Sequence, residues 1–162
     1  MNKLTICAIA VTAAFTTQAN AGDVQLVGYV APVCEVNGLY TQLLDFGQID
    51  ASTQTVTANL TLKCNDADGA VVTLTSAEGG LESDDNEDFA IGYTATLTPS
   101  SMTPLVLVTA GGPGLNNVSA TQGYSGSNLA SGTAASLVVE TASTAQWSGG
   151  YSDTLTVQIT AN

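Results

Sequence analysis

Apolar and polar residues alternate in short bursts along this chain, and each burst predicts a β-strand. From Thr55 to Cys64 the apolar positions are Val56, Ala58, Leu60, Leu62 and Cys64, with Thr, Asn and Lys between them. A period of two puts alternate side chains on opposite faces of a pleated strand. The same period runs through Ala70 to Thr75 and through Gly92 to Thr98, where Tyr93, Ala95 and Leu97 share a face. Asp153 to Thr160 sets Leu155, Val157 and Ile159 inward. Near the start, Val24, Leu26 and Val30 share a face, with Gly28 between them. Leu105 to Val108 is a continuous apolar run, and Leu137 to Val139 is a shorter candidate. The abundance of β-branched residues supports the same reading.

Turn chemistry separates the runs. Asn65-Asp66-Ala67-Asp68-Gly69 follows one strand, Gly79-Gly80 precedes an acidic stretch, and Gly111-Gly112-Pro113-Gly114 and Gly149-Gly150 punctuate the second half. About seven strands at this spacing predict a β-sandwich of the immunoglobulin type. The Gly/Ser/Asn-rich stretch from Gly111 to Ala135 reads as a long loop with one weak edge strand. No repeat and no second domain is evident.

The first residues change the picture of where this fold matures. Met1-Asn2-Lys3 is a positive start, Leu4 to Thr17 is apolar and small, and Gln18-Ala19-Asn20-Ala21 ends in an A-x-A site. That is the form of a secretory signal, with cleavage expected after Ala21. The apolar stretch falls short of the roughly 20 residues a membrane span needs. The exported chain would then be a single domain, 22–162, not inserted in a membrane. Cys7 leaves with the signal, so Cys34 and Cys64 remain. An isolated pair in an oxidising compartment predicts a disulfide. Closing a loop of that length is worth about 3.5 kcal/mol in the chain-entropy model.

Charge removes whole function classes. The chain has 14 acidic and 2 basic residues and no His. Lys3 leaves with the signal, so Lys63 is the sole cation of the exported chain. Phosphate neutralisation is out of reach, which argues against nucleic-acid binding. A catalytic triad lacks its His, no Arg can clamp an anion, and zinc lacks a ligand set. No enzyme activity and no cofactor or metal is expected, although a pair of carboxylates acting as acid and base is a formal alternative. Glu82-Ser83-Asp84-Asp85-Asn86-Glu87-Asp88 is dense in oxygen ligands. Phe89 and Ala95 stand where a calcium loop of the EF-hand type needs Gly and Glu, so a solvated loop is the reading. Asn59-Leu60-Thr61 and Asn117-Val118-Ser119 match a glycosylation triplet that is common by chance. Trp147 reads as a packing or edge residue, with a sugar platform as the alternative.

The remaining chemistry lies at sheet edges. The sequence stops soon after the Leu155–Ile159 strand, where an ordinary immunoglobulin-like domain would add one more. This predicts an open edge, which is a template for a strand from elsewhere. Asp23 to Val30 is an alternating strand directly behind the cleavage site. Either it leaves to fill that edge in another copy, or it forms this domain's own first strand. In the first case subunits join head to tail into an open fibre.

Several motifs in order resemble one family. They are an alternating N-terminus running into Cys34, then Leu44-Asp45-Phe46-Gly47, Leu60-Thr61-Leu62-Lys63-Cys64, Val71-Val72-Thr73-Leu74, and Gly150-Tyr151-Ser152-Asp153-Thr154-Leu155-Thr156-Val157. The chain resembles chaperone–usher pilus subunits, most closely the archaic type related to the spore coat protein U domain. The short N-terminal extension fits that type, whereas Pro99 to Ala135 matches no family pattern. The resemblance implies an all-β, incomplete immunoglobulin-like sandwich whose final strand is supplied by a partner. It implies a periplasmic chaperone, an outer-membrane usher and identical or related subunits as partners. It also implies passage through the periplasm to a surface fimbrium that supports adhesion and biofilm formation. Carried over, Val24, Leu26, Gly28 and Val30 would be the donor strand, and Leu155, Val157 and Ile159 would line the acceptor groove. Cys34 and Cys64 would be the family disulfide. The alternative function is a secreted or tip-located module of the same fold that recognises a glycan or an abiotic surface.

Overall fold

A computed structural model describes residues 25–39, 41–125 and 127–162. The expected signal peptide, Asp23 and Val24 lie outside these. The chain divides between Val30 and Ala31. The unit from Ala31 onward contains, in order, β1 (Cys34–Asn37), β2 (Thr55–Cys64), β3 (Ala70–Ser76), β4 (Leu81–Ser83), β5 (Asn86–Ile91) and β6 (Tyr93–Pro99). There follow β7 (Leu105–Val108), β8 (Val118–Tyr124), one helical turn α1 (Ser127–Ala130), β9 (Thr133–Thr141), β10 (Tyr151–Ser152) and β11 (Leu155–Ala161). The all-β expectation holds, and the pairings are antiparallel.

The strands form a five-stranded sheet ordered β1-β2-β9-β6-β7, a three-stranded sheet ordered β11-β3-β8, and a small sheet ordered β10-β4-β5. Their inward faces meet in one hydrophobic core. The period-two pattern explains which residues enter it. Ala58, Leu60 and Leu62 of β2, Leu137 and Val139 of β9, and Tyr93, Ala95 and Leu97 of β6 face inward from the large sheet. Val72 and Leu74 of β3 and Ile159 of β11 meet them from the other side. Each fully buried Leu or Val side chain contributes roughly 1.5–3 kcal/mol.

Cys34 and Cys64 are cross-strand partners and are disulfide-bonded. The bond ties the four-residue β1 to the ten-residue β2. Asn65 extends this clamp: its Oδ1 accepts from the Val33 N–H at 2.6 Å, and its Nδ2 donates to the Ala31 carbonyl at 3.1 Å.

The apolar run Leu105–Val108 is an edge strand buried on one face: Leu105 and Leu107 face the core, while Val106 and Val108 face solvent. Several expectations are corrected. The short candidate Leu137–Val139 is the middle of the nine-residue β9, which lies at the centre of the large sheet. The supposed long loop from Gly111 to Ala135 holds β8, α1 and the start of β9. The strand expected from Gly92 begins at Tyr93, because Gly92 is where the chain passes from β5 in the small sheet to β6 in the large one. A Cβ at Gly92 would lie 2.5 Å from the Thr109 carbonyl oxygen, so only Gly allows this approach. The acidic stretch is a hairpin, with Asp84 and Asp85 exposed at the turn between β4 and β5.

Residues 25–30 belong to no strand, and Leu26, Val27, Tyr29 and Val30 are 90%, 87%, 85% and 80% exposed.

Candidate functional site: an apolar cleft between two unpaired strand edges

β1 pairs with β2 and β11 pairs with β3, and among the described residues neither strand has a ladder on its other side. The two strands approach each other across the gap between the large and three-stranded sheets. A cleft of about 790 Å³ lies there. Val36 of β1, Val56 of β2 and Leu137 and Val139 of β9 line it from the large sheet; Leu155 and Val157 line it from β11. Leu39, Leu44, Phe46 and Ile49, from the irregular segment between β1 and β2, complete the apolar lining and pack on the core.

The alternation of β11 places its side chains for this role. Leu155 and Val157 are half-buried and Ile159 is buried, while Thr156, Gln158 and Thr160 face away. Leu155 and Val157 therefore meet at the cleft. Ile159 packs in the core beyond it and is not among the lining residues. Of the expected donor residues, Leu26, Gly28 and Val30 lie in the exposed, unpaired stretch, and Val24 is outside the described residues. An unpaired edge offers backbone N–H and C=O groups, and the apolar cleft beside it offers places for alternate side chains. Together these can bind an extended peptide as an added strand.

The start of β11 is fixed by one carboxylate. Asp153 Oδ2 accepts from the Tyr93 hydroxyl at 2.6 Å and from the Ser76 hydroxyl at 2.5 Å. Its Oδ1 accepts from the Glu78 N–H at 3.0 Å and from its neighbour Thr154 N–H at 2.7 Å. Tyr93 and Ser76 are buried, so the carboxylate supplies acceptors that water cannot reach easily. Burial, and next the hydrogen bond to Asp153, push the Tyr93 phenol well above its ordinary value. In the sequence Asp153 is visible only at the head of the Asp153–Thr160 pattern and within the Gly150–Val157 ending, and neither marks this role. An acidic residue just ahead of a strand was the available signal, but its partners lie 60 and 77 positions away.

Other candidate residues fall elsewhere. Lys63 pairs with Glu35 at 3.3 Å across β1 and β2, both half-exposed, where such pairs add little. Asn59 faces solvent on β2, and Asn117 sits in the left-handed region just before β8. Trp147 is 66% exposed, which corrects a packing role for it. Among the described residues no group of three or more His, Cys, Asp or Glu is arranged to hold a metal ion, and no helix is long and apolar enough to cross a membrane.

No protein-family model, no curated protein and no solved structure matches the chain.

Proposed function

We propose that this chain is a structural subunit of a surface pilus, an incomplete immunoglobulin-like sandwich that polymerises by accepting a strand from another copy. The observation that carries the reading is the apolar cleft between the unpaired edges of β1 and β11. An exposed apolar stretch, Leu26 to Val30, supplies a matching strand. Lengths agree: the eight residues Asp23–Val30 would span roughly 26 Å when extended, and the seven-residue β11 spans roughly 23 Å.

The energetics favour exchange. Burying Leu26 and Val30 would each contribute roughly 1.5–3 kcal/mol, and each added main-chain hydrogen bond about 0.5–1.5 kcal/mol net. A contact between a groove on one copy and a strand on the next is heterologous, so it propagates as a fibre. An open edge of this kind needs cover before assembly, which is the part a periplasmic chaperone would play, with an outer-membrane usher passing subunits to the surface. The charge, with Lys63 against 14 acidic residues, keeps free subunits soluble.

Deleting Asp23–Val30 tests the reading. The full exported chain should give polymer ladders on unboiled denaturing gels, and the deletion should abolish them. Unchanged ladders would overturn it. A tip-located binding module of the same fold is the second reading, favoured by the exposed Trp147. It differs in needing the groove but no donor strand, so it would join a fibre without extending one.

A further inference from the structure

Between β1 and β2 the chain leaves the sheet. β1 covers the edge of β2 only from Thr61 to Cys64, so among the described residues positions 55–60 have a ladder on their β9 side alone. Gly38 makes the departure: its φ is +98°, and a Cβ there would stand 3.1 Å from the Asn59 carbonyl oxygen. Most of residues 41–49 line the larger cleft, and none of them joins a strand. Leu44 and Phe46 are half-buried and pack on the core, while Leu43, Asp45 and Gly47 are exposed. That is the alternation of a strand without its ladder.

The backbone of this segment has a light hold. The Gly47 N–H donates to Asp45 Oδ1 at 2.8 Å in a local turn, and the Ile49 carbonyl accepts from the Ala145 N–H at 2.8 Å. Thr41, a β-branched residue, stands at φ +32°, a strained conformation for such a side chain. Apolar contact therefore keeps Leu44 and Phe46 in place, not main-chain pairing. A strand entering beside β11 brings both: alternate apolar side chains for the cleft and hydrogen bonds for the unpaired edge. It can replace what Leu44 and Phe46 do and add a ladder that they lack.

We propose that residues 41–49 are a built-in placeholder for the donor strand: Leu44 and Phe46 cover part of the groove in the free subunit and leave it when a donor enters. The inference rests on the fibre reading of the cleft and adds how the groove is kept before assembly. Apolar surface that would otherwise face water is covered, at a strength that a donor can exceed. A segment that instead served as a fixed wall would strengthen donor binding, so the two roles differ in sign.

The chain from Gly22 to Asn162 is titrated with a fluorescein-labelled peptide copying Asp23–Val30, and binding is read by anisotropy. Phe46→Ala removes the larger placeholder side chain and should tighten peptide binding about fivefold or more. Leu44→Ala should act in the same direction. A second measurement needs no substitution. Phe46 and Phe89 are the two phenylalanines from Gly22 onward, so 4-fluorophenylalanine labelling gives one fluorine signal for each. Excess peptide should move the Phe46 signal to the position of a solvent-exposed ring and leave the Phe89 signal in place. Peptide binding that is unchanged or weakened in Phe46→Ala, or a Phe46 ring that stays buried when peptide is bound, would overturn the placeholder and leave the fibre reading intact. Peptide that binds neither the unaltered chain nor the variants would overturn both.

Discussion

Replacing Asp153 with Ala should be strongly destabilising although the residue is only half-buried. The carboxylate accepts four hydrogen bonds, two of them from the buried hydroxyls of Tyr93 and Ser76. A hydrogen bond to a charged group is worth about 1.5–3 kcal/mol, and a buried donor left without an acceptor loses its full solvation. The Thr154 N–H is exposed and can turn to water, so it adds little. The two hydroxyls can partly serve each other once Oδ2 is gone, which trims the sum. The expected loss is about 3 kcal/mol. Asp153→Asn keeps one carbonyl acceptor and should lose about 1–2 kcal/mol. The assay is equilibrium unfolding in urea with the disulfide intact, read by far-UV circular dichroism. A double-mutant cycle with Tyr93→Phe then isolates the pair. Phe removes the orphaned hydroxyl, so the double variant should be about 1–2 kcal/mol more stable than additivity allows. A loss under about 0.5 kcal/mol for Asp153→Ala, or strict additivity in the cycle, would refute the view that this carboxylate anchors the start of β11.

Three further outcomes follow from the same geometry. Tyr93 has its folded-state pKa raised, so the folded state keeps a proton that the unfolded chain releases above about pH 10. Its stabilising contribution is whole below that pH and falls by about 1.4 kcal/mol per unit above it. Buried Tyr124 shifts in the same direction, and Tyr93→Phe should flatten the alkaline slope measured by urea unfolding. Reducing the Cys34–Cys64 bond should cost about 3.5 kcal/mol and loosen β1 first, which hydrogen exchange at Cys34–Asn37 would show as lost protection. Val157→Asp puts a charge into the larger cleft at a half-buried position, so polymer ladders should disappear while the unfolding midpoint moves little.

The strands that could be read in advance are those whose inward residues are large. β2, β3, β6 and β11 put Leu, Val, Ile or Tyr at alternate positions, and the period is plain in each. β9 hides because its inward set includes Thr133, Ala135 and Thr141, small or polar residues that only a central position in the sheet buries. β8 hides for a related reason, since Val118, Ala120 and Gln122 are half-buried and Gly123 sits near its end. β1 is four residues long and is defined by the β2 partner and the disulfide rather than by its own pattern.

The cleft was legible in part. Leu155 and Val157 follow from alternation in one strand, and both line it. The segment that lines it from the other side was visible only as the Leu44-Asp45-Phe46-Gly47 motif. Nothing local to that irregular stretch says that Leu44 and Phe46 turn toward the core. The Asp153 anchor depends on contacts between distant segments, which no window of sequence contains.

Hydrogen exchange on β11 tests the central claim most directly. The chain from Gly22 to Asn162 is measured alone and with an excess of a synthetic peptide copying Asp23–Val30. If the unpaired edge of β11 accepts a strand, amides in Leu155–Ala161 that exchange fast in the free chain should become protected on adding the peptide, as should those of β1 across the cleft. Exchange in β11 that is unchanged at saturating peptide would contradict the account.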